Sequence, residues 1–225
     1  MLNGILHPIK YILKLVLASP LQLKEEFFED INKDMSAKNY LSNNHLVWCV
    51  GLPKSGTTLI ENILNFLPYV QMNMSPIRKY SENKIDHPHG ICDNMFKFAP
   101  SSKYSFLKTH THFEERYLRV AEKYNSKIIL SLRDLRHMMI SNFFYIINNP
   151  KHVDHKSLIL YEEKEGFKKS LLIQDKGTNQ TALEYYYNWI KDWKMISKEK
   201  GHLILWFEEY EENPLNYINK IIEYL

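Results

Sequence analysis

Cysteine is nearly absent from this 225-residue chain, with Cys49 and Cys92 the only two. Two thiols supply neither a disulfide framework nor zinc-ribbon spacing, and Cys49 lies inside an apolar run, so a reducing, cytoplasmic compartment is the easier reading. Charge of one sign is also scarce. With 29 Lys and Arg against 26 Asp and Glu, a formal net charge of +3 speaks against nucleic acid as partner and leaves room for one local anion site. Collagen, coiled coil and disorder are excluded by composition: 44% hydrophobic and 24% charged residues describe an ordinary soluble enzyme with one sizeable core. There is no internal repeat, no low-complexity linker and no compositional break, which predicts a single domain.

Long apolar runs are missing too. The nearest approach is residues 5–18, ILHPIKYILKLVLA, where Lys10 and Lys14 interrupt the run, well short of the roughly 20 residues that a membrane span needs. A signal peptide is disfavoured because Ala18-Ser19-Pro20 sets a proline beside the candidate cut. Ile5, Ile9, Ile12, Leu13 and Val16 follow helical spacing with the lysines off that face. Residues 1–40 are therefore read as an amphipathic helical segment that packs on the domain or on a sister subunit, or that lies on a membrane surface. Those alternatives stay open, as does the oligomeric state.

From residue 41 to 225 short β-rich runs alternate with helical stretches, the pattern of an α/β fold with a parallel sheet covered by helices. His45–Val50 reads as a strand buried on both faces, followed by a helix over Thr57–Leu67 that stops at Pro68. Strands are predicted over Tyr104–Lys108, Lys127–Leu132 and Leu203–Phe207, and helices over Phe113–Tyr124, Leu135–Ile147, Thr181–Lys198 and Leu215–Leu225. The last of these starts behind Asn213-Pro214, a sound helix start. Residues 71–103 and 148–180 read as loops. In the long helix, Tyr185, Trp189, Trp193 and Ile196 share a stripe that reads as core.

The sharpest local signal is Gly51-Leu-Pro-Lys54-Ser55-Gly56-Thr57-Thr58 between the first strand and first helix. A glycine-bearing turn from strand to helix lets backbone N–H groups converge on an anionic oxygen at the positive end of the helix. Gly51 and Gly56 keep the spacing of a nucleotide-triphosphate loop, yet Thr57 stands where that loop has its lysine. Lys54 lies on the crest instead, suited to the side of the anion where a group leaves or arrives. The bland alternative is a glycine turn with an incidental lysine. Arg133, at the end of a predicted strand, offers a planar fork for a terminal phosphate, with a strand-end ion pair as the plain alternative. His87, His89 and Cys92 make a weak metal site, being three possible ligands on a loop without a fourth nearby.

At these residues the sequence resembles a family. Pro53-Lys54-Ser55-Gly56-Thr57-Thr58 is similar to the 5'-phosphosulfate loop of the sulfotransferases that use 3'-phosphoadenosine 5'-phosphosulfate (PAPS). Arg133 and Ser141, eight positions apart, resemble that family's 3'-phosphate motif. Leu107-Lys108-Thr109-His110 matches the K-x-H of its cytosolic branch, and Trp206-Phe207-Glu208-Glu209-Tyr210 to Asn213-Pro214 is similar to its later Tyr-Glu-Asp segment. The resemblance implies a P-loop-nucleotide-hydrolase-like parallel sheet flanked by helices. It also implies sulfuryl transfer from PAPS to a hydroxyl or amine, leaving adenosine 3',5'-bisphosphate, without a metal. Lys54 would stabilise the leaving oxygen, His110 would be the base and Lys108 would touch the sulfonate. Glu82 is the rival base, because Golgi-type members use a glutamate from about this region. Arg136 and His137 add positive charge near the 3'-phosphate or merely face solvent, and His112 has no assigned role.

Two departures accompany the resemblance. Leu59 stands where the family commonly stacks a tryptophan on adenine, and the family's Arg-Lys-Gly segment beyond the last helix has no counterpart before Leu225. Two other readings therefore stay beside the enzyme: a catalytically silent phosphate-loop protein that binds adenosine 3',5'-bisphosphate-type nucleotides, and a nucleotide-kinase-like enzyme, against which the missing post-glycine lysine speaks. The acceptor, whether a small molecule, a glycan or a lipid, is not legible.

Overall fold

The computed structural model describes residues 46–67, 70–72, 104–174 and 179–225. The amphipathic segment 5–18, the glutamate Glu82, the His87–Cys92 stretch and most of the expected loop 71–103 lie outside those residues. β1 (Leu46–Gly51) is buried along its whole length, as a continuous apolar run in a parallel sheet should be. Side chains alternate across a strand, and here the alternation divides the core in two. Leu46, Trp48 and Val50 join one hydrophobic cluster, while Val47 and Cys49 join another.

Four further strands complete the sheet: β2 (Val70–Met72), β3 (Tyr104–Thr109), β4 (Lys127–Leu132) and β5 (Leu203–Trp206). All pairings are parallel and the spatial order is β2-β3-β1-β4-β5. β1 lies at the centre. The chain leaves β1 toward the β2 edge and leaves β4 toward the β5 edge, so the connections diverge between these two neighbours. In an open α/β sheet that divergence opens a crevice at the carboxyl ends of the strands, where ligands bind.

Helices cover both faces. α1 (Thr57–Phe66) contributes Ile60, Ile63 and Leu64 to the Cys49 side. α2 (Glu115–Lys123), α3 (Leu135–Ile147) and a long later helix cover the Trp48 side. The region 148–180 is a correction to the loop reading, because it holds α4 (His155–Leu158) and α5 (Glu163–Leu172). Gly166 sits in the middle of α5 and obscured it, since glycine is a poor helix former. Its lack of a side chain serves packing: a Cβ there would lie 3.3 Å from the Leu158 carbonyl oxygen and 3.3 Å from the Phe143 ring.

α6 (Ala182–Lys200) begins with a capping box between Thr181 and Glu184 and ends at Gly201 in a left-handed conformation. Of its expected stripe, Trp189, Trp193 and Ile196 are buried and Tyr185 is partly buried. The sequence reading extends the last strand to Phe207, but Phe207 opens the short helix α7 (Phe207–Glu212). α8 (Pro214–Tyr224) follows, with the Asn213 side chain accepting from the Asn216 N–H. It buries Tyr217, Ile218 and Ile221 against the Cys49 side.

Candidate active site

The turn from β1 to α1 is built tightly. Ser55 bonds back to the Leu52 carbonyl twice, from its backbone N–H at 3.1 Å and from its hydroxyl at 2.7 Å. The crest requires left-handed backbone at Lys54 (φ 69°) and Gly56 (φ 102°). A non-glycine residue held there carries strain, of the kind that collects at ligand clamps. No side chain caps α1, so the N–H groups of its first turn are directed at the space ahead of the helix. Gly51 has no room for a side chain: a Cβ would fall 2.6 Å from Thr57 Cγ2, 2.7 Å from Ser55 Oγ and 2.9 Å from Ser131 Cβ.

β4 delivers the second part. Gly51 is in register with Ser131, whose buried hydroxyl donates to the Ser55 carbonyl at 2.9 Å. Two residues on, Arg133 reaches the crest itself, Nη1 donating to the Lys54 carbonyl at 3.4 Å. Its guanidinium lies 4.4 Å over the Phe207 ring, and its Nε is buried without a hydrogen-bond partner. Among the described residues Arg133 makes no ion pair. Phe207 also abuts Gly56, where a Cβ would lie 2.9 Å from its ring.

Ser141 is on α3, one turn before Tyr145 and on the same face. The Lys54 ammonium lies 5.0 Å from the centre of the Tyr145 ring, so that face of α3 adjoins the loop crest. Arg136 lies at the start of α3. It is 84% exposed and forks onto Asp134 Oδ1 and Oδ2 at 3.1 and 2.8 Å. That side-chain bond, together with the backbone N–H groups of Arg136 and His137, holds the Asp134 carboxyl well below the usual carboxylate range. His137 is 60% exposed and lies 3.9 Å from Glu208 Oε1.

β3 brings the third part. Lys108 is opposite Cys49 in the register and points to the α1 side, where it pairs with Glu61 and lies 3.5 Å from Thr58 Oγ1. Pro53 and Thr58 complete the loop's outer side, half-buried and exposed respectively. His110 Nδ1 meets the Gly51 carbonyl. A carbonyl can only accept, so Nδ1 carries the proton, and in the neutral ring the lone pair is on Nε2. Lys54, Ser55, Gly56, Thr57, Lys108, His110 and Arg133 are therefore gathered at one end of the sheet. His112 packs edge-on against Tyr185, with centroids 4.3 Å apart.

Sequence reasoning missed Ser131, Glu61, Tyr145 and the role of Phe207. Ser131 alone left a local signal, a hydroxyl inside the otherwise apolar strand Ile128–Leu132. The contacts of the others are tertiary. Among the described residues there is no group of three metal-ligating side chains, and no helix is long and apolar enough to cross a membrane.

A family model described as a sulfotransferase domain matches residues 44–225. A solved structure, mouse sulfotransferase SULT7A1 complexed with PAP, is similar with a TM-score of 0.58 at 20% sequence identity. That likeness covers 80% of this chain and 58% of the other, so this chain spans less than two thirds of the mouse protein's length. At such identity it is a likeness of fold. No curated protein matches the chain by sequence.

Proposed function

Because this chain belongs to the sulfotransferase domain family, we propose that it moves a sulfuryl group from PAPS to a hydroxyl or amine of an acceptor, leaving adenosine 3',5'-bisphosphate. One observation carries the reading: the loop after β1 and the arginine after β4 meet at Lys54 and Arg133, in the crevice where neighbouring strands send the chain in opposite directions. The residues suit a doubly anionic nucleotide. The N–H groups that open α1 have no side-chain cap, and the Arg133 guanidinium stands at the same loop crest.

PAPS supplies a sulfuryl group whose bridging oxygen gathers charge as the bond breaks, and positioning with electrostatics then dominates catalysis. Lys54, on the loop crest with its ammonium over the Tyr145 ring, would stabilise that oxygen. Ser55, Gly56, Thr57 and Thr58 hold the 5' end through N–H and hydroxyl donors. Arg133 and Ser141 hold the 3'-phosphate. His110 keeps its Nδ1 proton on the Gly51 carbonyl and offers Nε2 to the acceptor's proton. Lys108, steadied by Glu61, faces the same space as His110, because residues two apart on an extended segment share a side. Glu82 would take the base role only if His110 proved dispensable.

Calorimetric titration with adenosine 3',5'-bisphosphate tests this reading. Lys54→Ala and Arg133→Ala are each expected to weaken binding by about tenfold or more, in line with the loss of a charged hydrogen bond worth roughly 1.5–3 kcal/mol. Binding unchanged in both variants would remove the site. Leu59 keeps the silent nucleotide-binding reading in view, since no tryptophan is present there to stack on a base. Tight nucleotide binding with no transfer to any acceptor would favour it.

A further inference from the structure

The segment that carries His110 is held from behind by three buried indoles. Trp48 Nε1 donates to Thr109 Oγ1 at 2.8 Å. Trp189 Nε1 and Trp193 Nε1 both donate to the Thr111 carbonyl, each at 2.9 Å. These rings form one packed group: Trp193 meets Trp48 and Phe113 edge-on, at 5.4 and 5.5 Å, and Trp189 at a tilt, at 6.0 Å. All three tryptophans are at most 2% exposed. An indole N–H in such a place has to find an acceptor, and here each acceptor belongs to a residue next to His110.

Strand alternation explains the arrangement. Thr109 is opposite Val50 in the register, and Val50 belongs to the cluster that contains the tryptophans. Lys108 and His110 face the other way, toward α1 and the Gly51 carbonyl. One face of the β3 terminus therefore carries the chemistry while the opposite face, with the main chain beyond it, is tied into the core. Two donors on the Thr111 carbonyl set the plane of the peptide after His110 and its neighbour, and the Thr109 bond sets the side before it.

From this juxtaposition we infer that Trp48, Trp189 and Trp193 are positioning residues for His110, fixing through Thr109 and Thr111 the orientation in which Nδ1 meets the Gly51 carbonyl. The inference rests on the reading of His110 as the proton acceptor. Its consequence is separable from overall stability, because phenylalanine keeps an aromatic ring while removing the N–H, and valine keeps the shape of threonine while removing the hydroxyl.

The test uses the full chain and two readouts. In long-range proton–nitrogen correlation spectra at pH about 8, where a histidine of ordinary pKa is neutral, the parent is expected to show His110 as a single Nδ1–H tautomer. Thr109→Val and the double variant Trp189→Phe/Trp193→Phe are expected to show a mixture of tautomers, and Thr109→Ser to restore the single one. In sulfuryl transfer the same two variants should lower kcat by about 10- to 100-fold, the scale of a misplaced catalytic group. The donor KM and the Kd for adenosine 3',5'-bisphosphate should stay within about threefold, since phenylalanine and valine keep the packing and the bonds they remove end on Thr109 and Thr111, not on the phosphate loop. Should Thr109→Val fail to fold, the double tryptophan variant decides, and single Trp193→Phe decides if that also fails.

The inference is overturned by an Nε2–H tautomer in the parent or by variants with an unchanged tautomer. It is equally overturned by variants that lose nucleotide binding, thermal stability and kcat in parallel, which is the mark of a merely structural role. If the parent transfers no sulfuryl group to any acceptor, the functional reading fails while the spectra still judge the clamp.

Discussion

Gly56→Ala isolates how closely the phosphate loop is fitted to β4 and α7. Gly56 has φ 102°, and a Cβ placed there would come 2.9 Å from Phe207 Cδ2 and 3.5 Å from Ser131 Oγ. Gly201, at the end of α6, supplies the control: its φ is 70° and an added Cβ meets nothing within 4 Å. Left-handed backbone costs an alanine about 1–2 kcal/mol, which is the whole of the expected loss at Gly201. At Gly56 the same cost is joined by overpacking against a ring that is itself stacked under Arg133, about 1–3 kcal/mol more. For a chain of this size each kcal/mol lowers Tm by about 2–4 °C, so Gly56→Ala should melt about 2–12 °C below Gly201→Ala. Differential scanning calorimetry reads the difference. Titration of the still-folded variant with adenosine 3',5'-bisphosphate should show weakened binding, whereas Gly201→Ala should bind as the parent does. Equal melting of the two variants would refute the claim that Phe207 is a rigid wall shared by the loop and Arg133.

Three other outcomes are expected. Leu59→Trp should tighten nucleotide binding by about fivefold or more, because stacking a base on an aromatic side chain contributes about 1–3 kcal/mol; calorimetry showing no gain would mean that the base lies elsewhere. Glu61→Gln and Lys108→Met should couple by about 1–3 kcal/mol in a double-mutant cycle of urea unfolding, since both side chains are only 16% exposed and breaking such a pair strands a charge. Additive losses would make the pair incidental. Burial pushes the Cys49 thiol from 9.0 up to about 12, with Lys108 opposing and Glu61 adding to it. Its folded pKa is thus above its unfolded one, so the stability it contributes is complete below about pH 9 and is lost as pH rises toward 12, at no more than about 1.4 kcal/mol per pH unit. Urea unfolding at a series of alkaline pH values checks the sign, and a thiol reagent should leave Cys49 untouched in the folded chain at pH 9.

Much of the architecture was legible because the signals were local. β4 and α3 lie where apolar periodicity and punctuation put them, at Lys127–Leu132 and Leu135–Ile147. The loop was legible for the same reason: Gly51 and Gly56 answer to φ and close approach, which depend on a few neighbours. α5 was not, since Gly166 is chosen by Phe143 and the Leu158 carbonyl, neither of which belongs to α5. Nor was the Glu61–Lys108 pair, made across 47 residues by the docking of α1 beside β3. The sequence reading presented the tryptophans of α6 as core. That is true of their rings, but it leaves out the N–H groups, whose acceptors are 78 and 82 positions away at Thr111.

The tryptophans also show why burial and function are not competing explanations for one residue. A leucine at position 193 would satisfy the hydrophobic stripe of α6 as well as an indole does. It would leave the Thr111 carbonyl without that donor, and nothing in helical periodicity distinguishes the two choices. What distinguishes them is the strand on the far side of the core, where a two-residue repeat puts Lys108 and His110 on one face and their anchors on the other. A helix that merely packs on a sheet needs apolar volume; one that also orients a histidine through two layers needs a donor at a defined height. On the proposed reading, chemistry at the carboxyl end of β3 would be specified partly by residues that never reach it, with His110 aimed from the far side of the core.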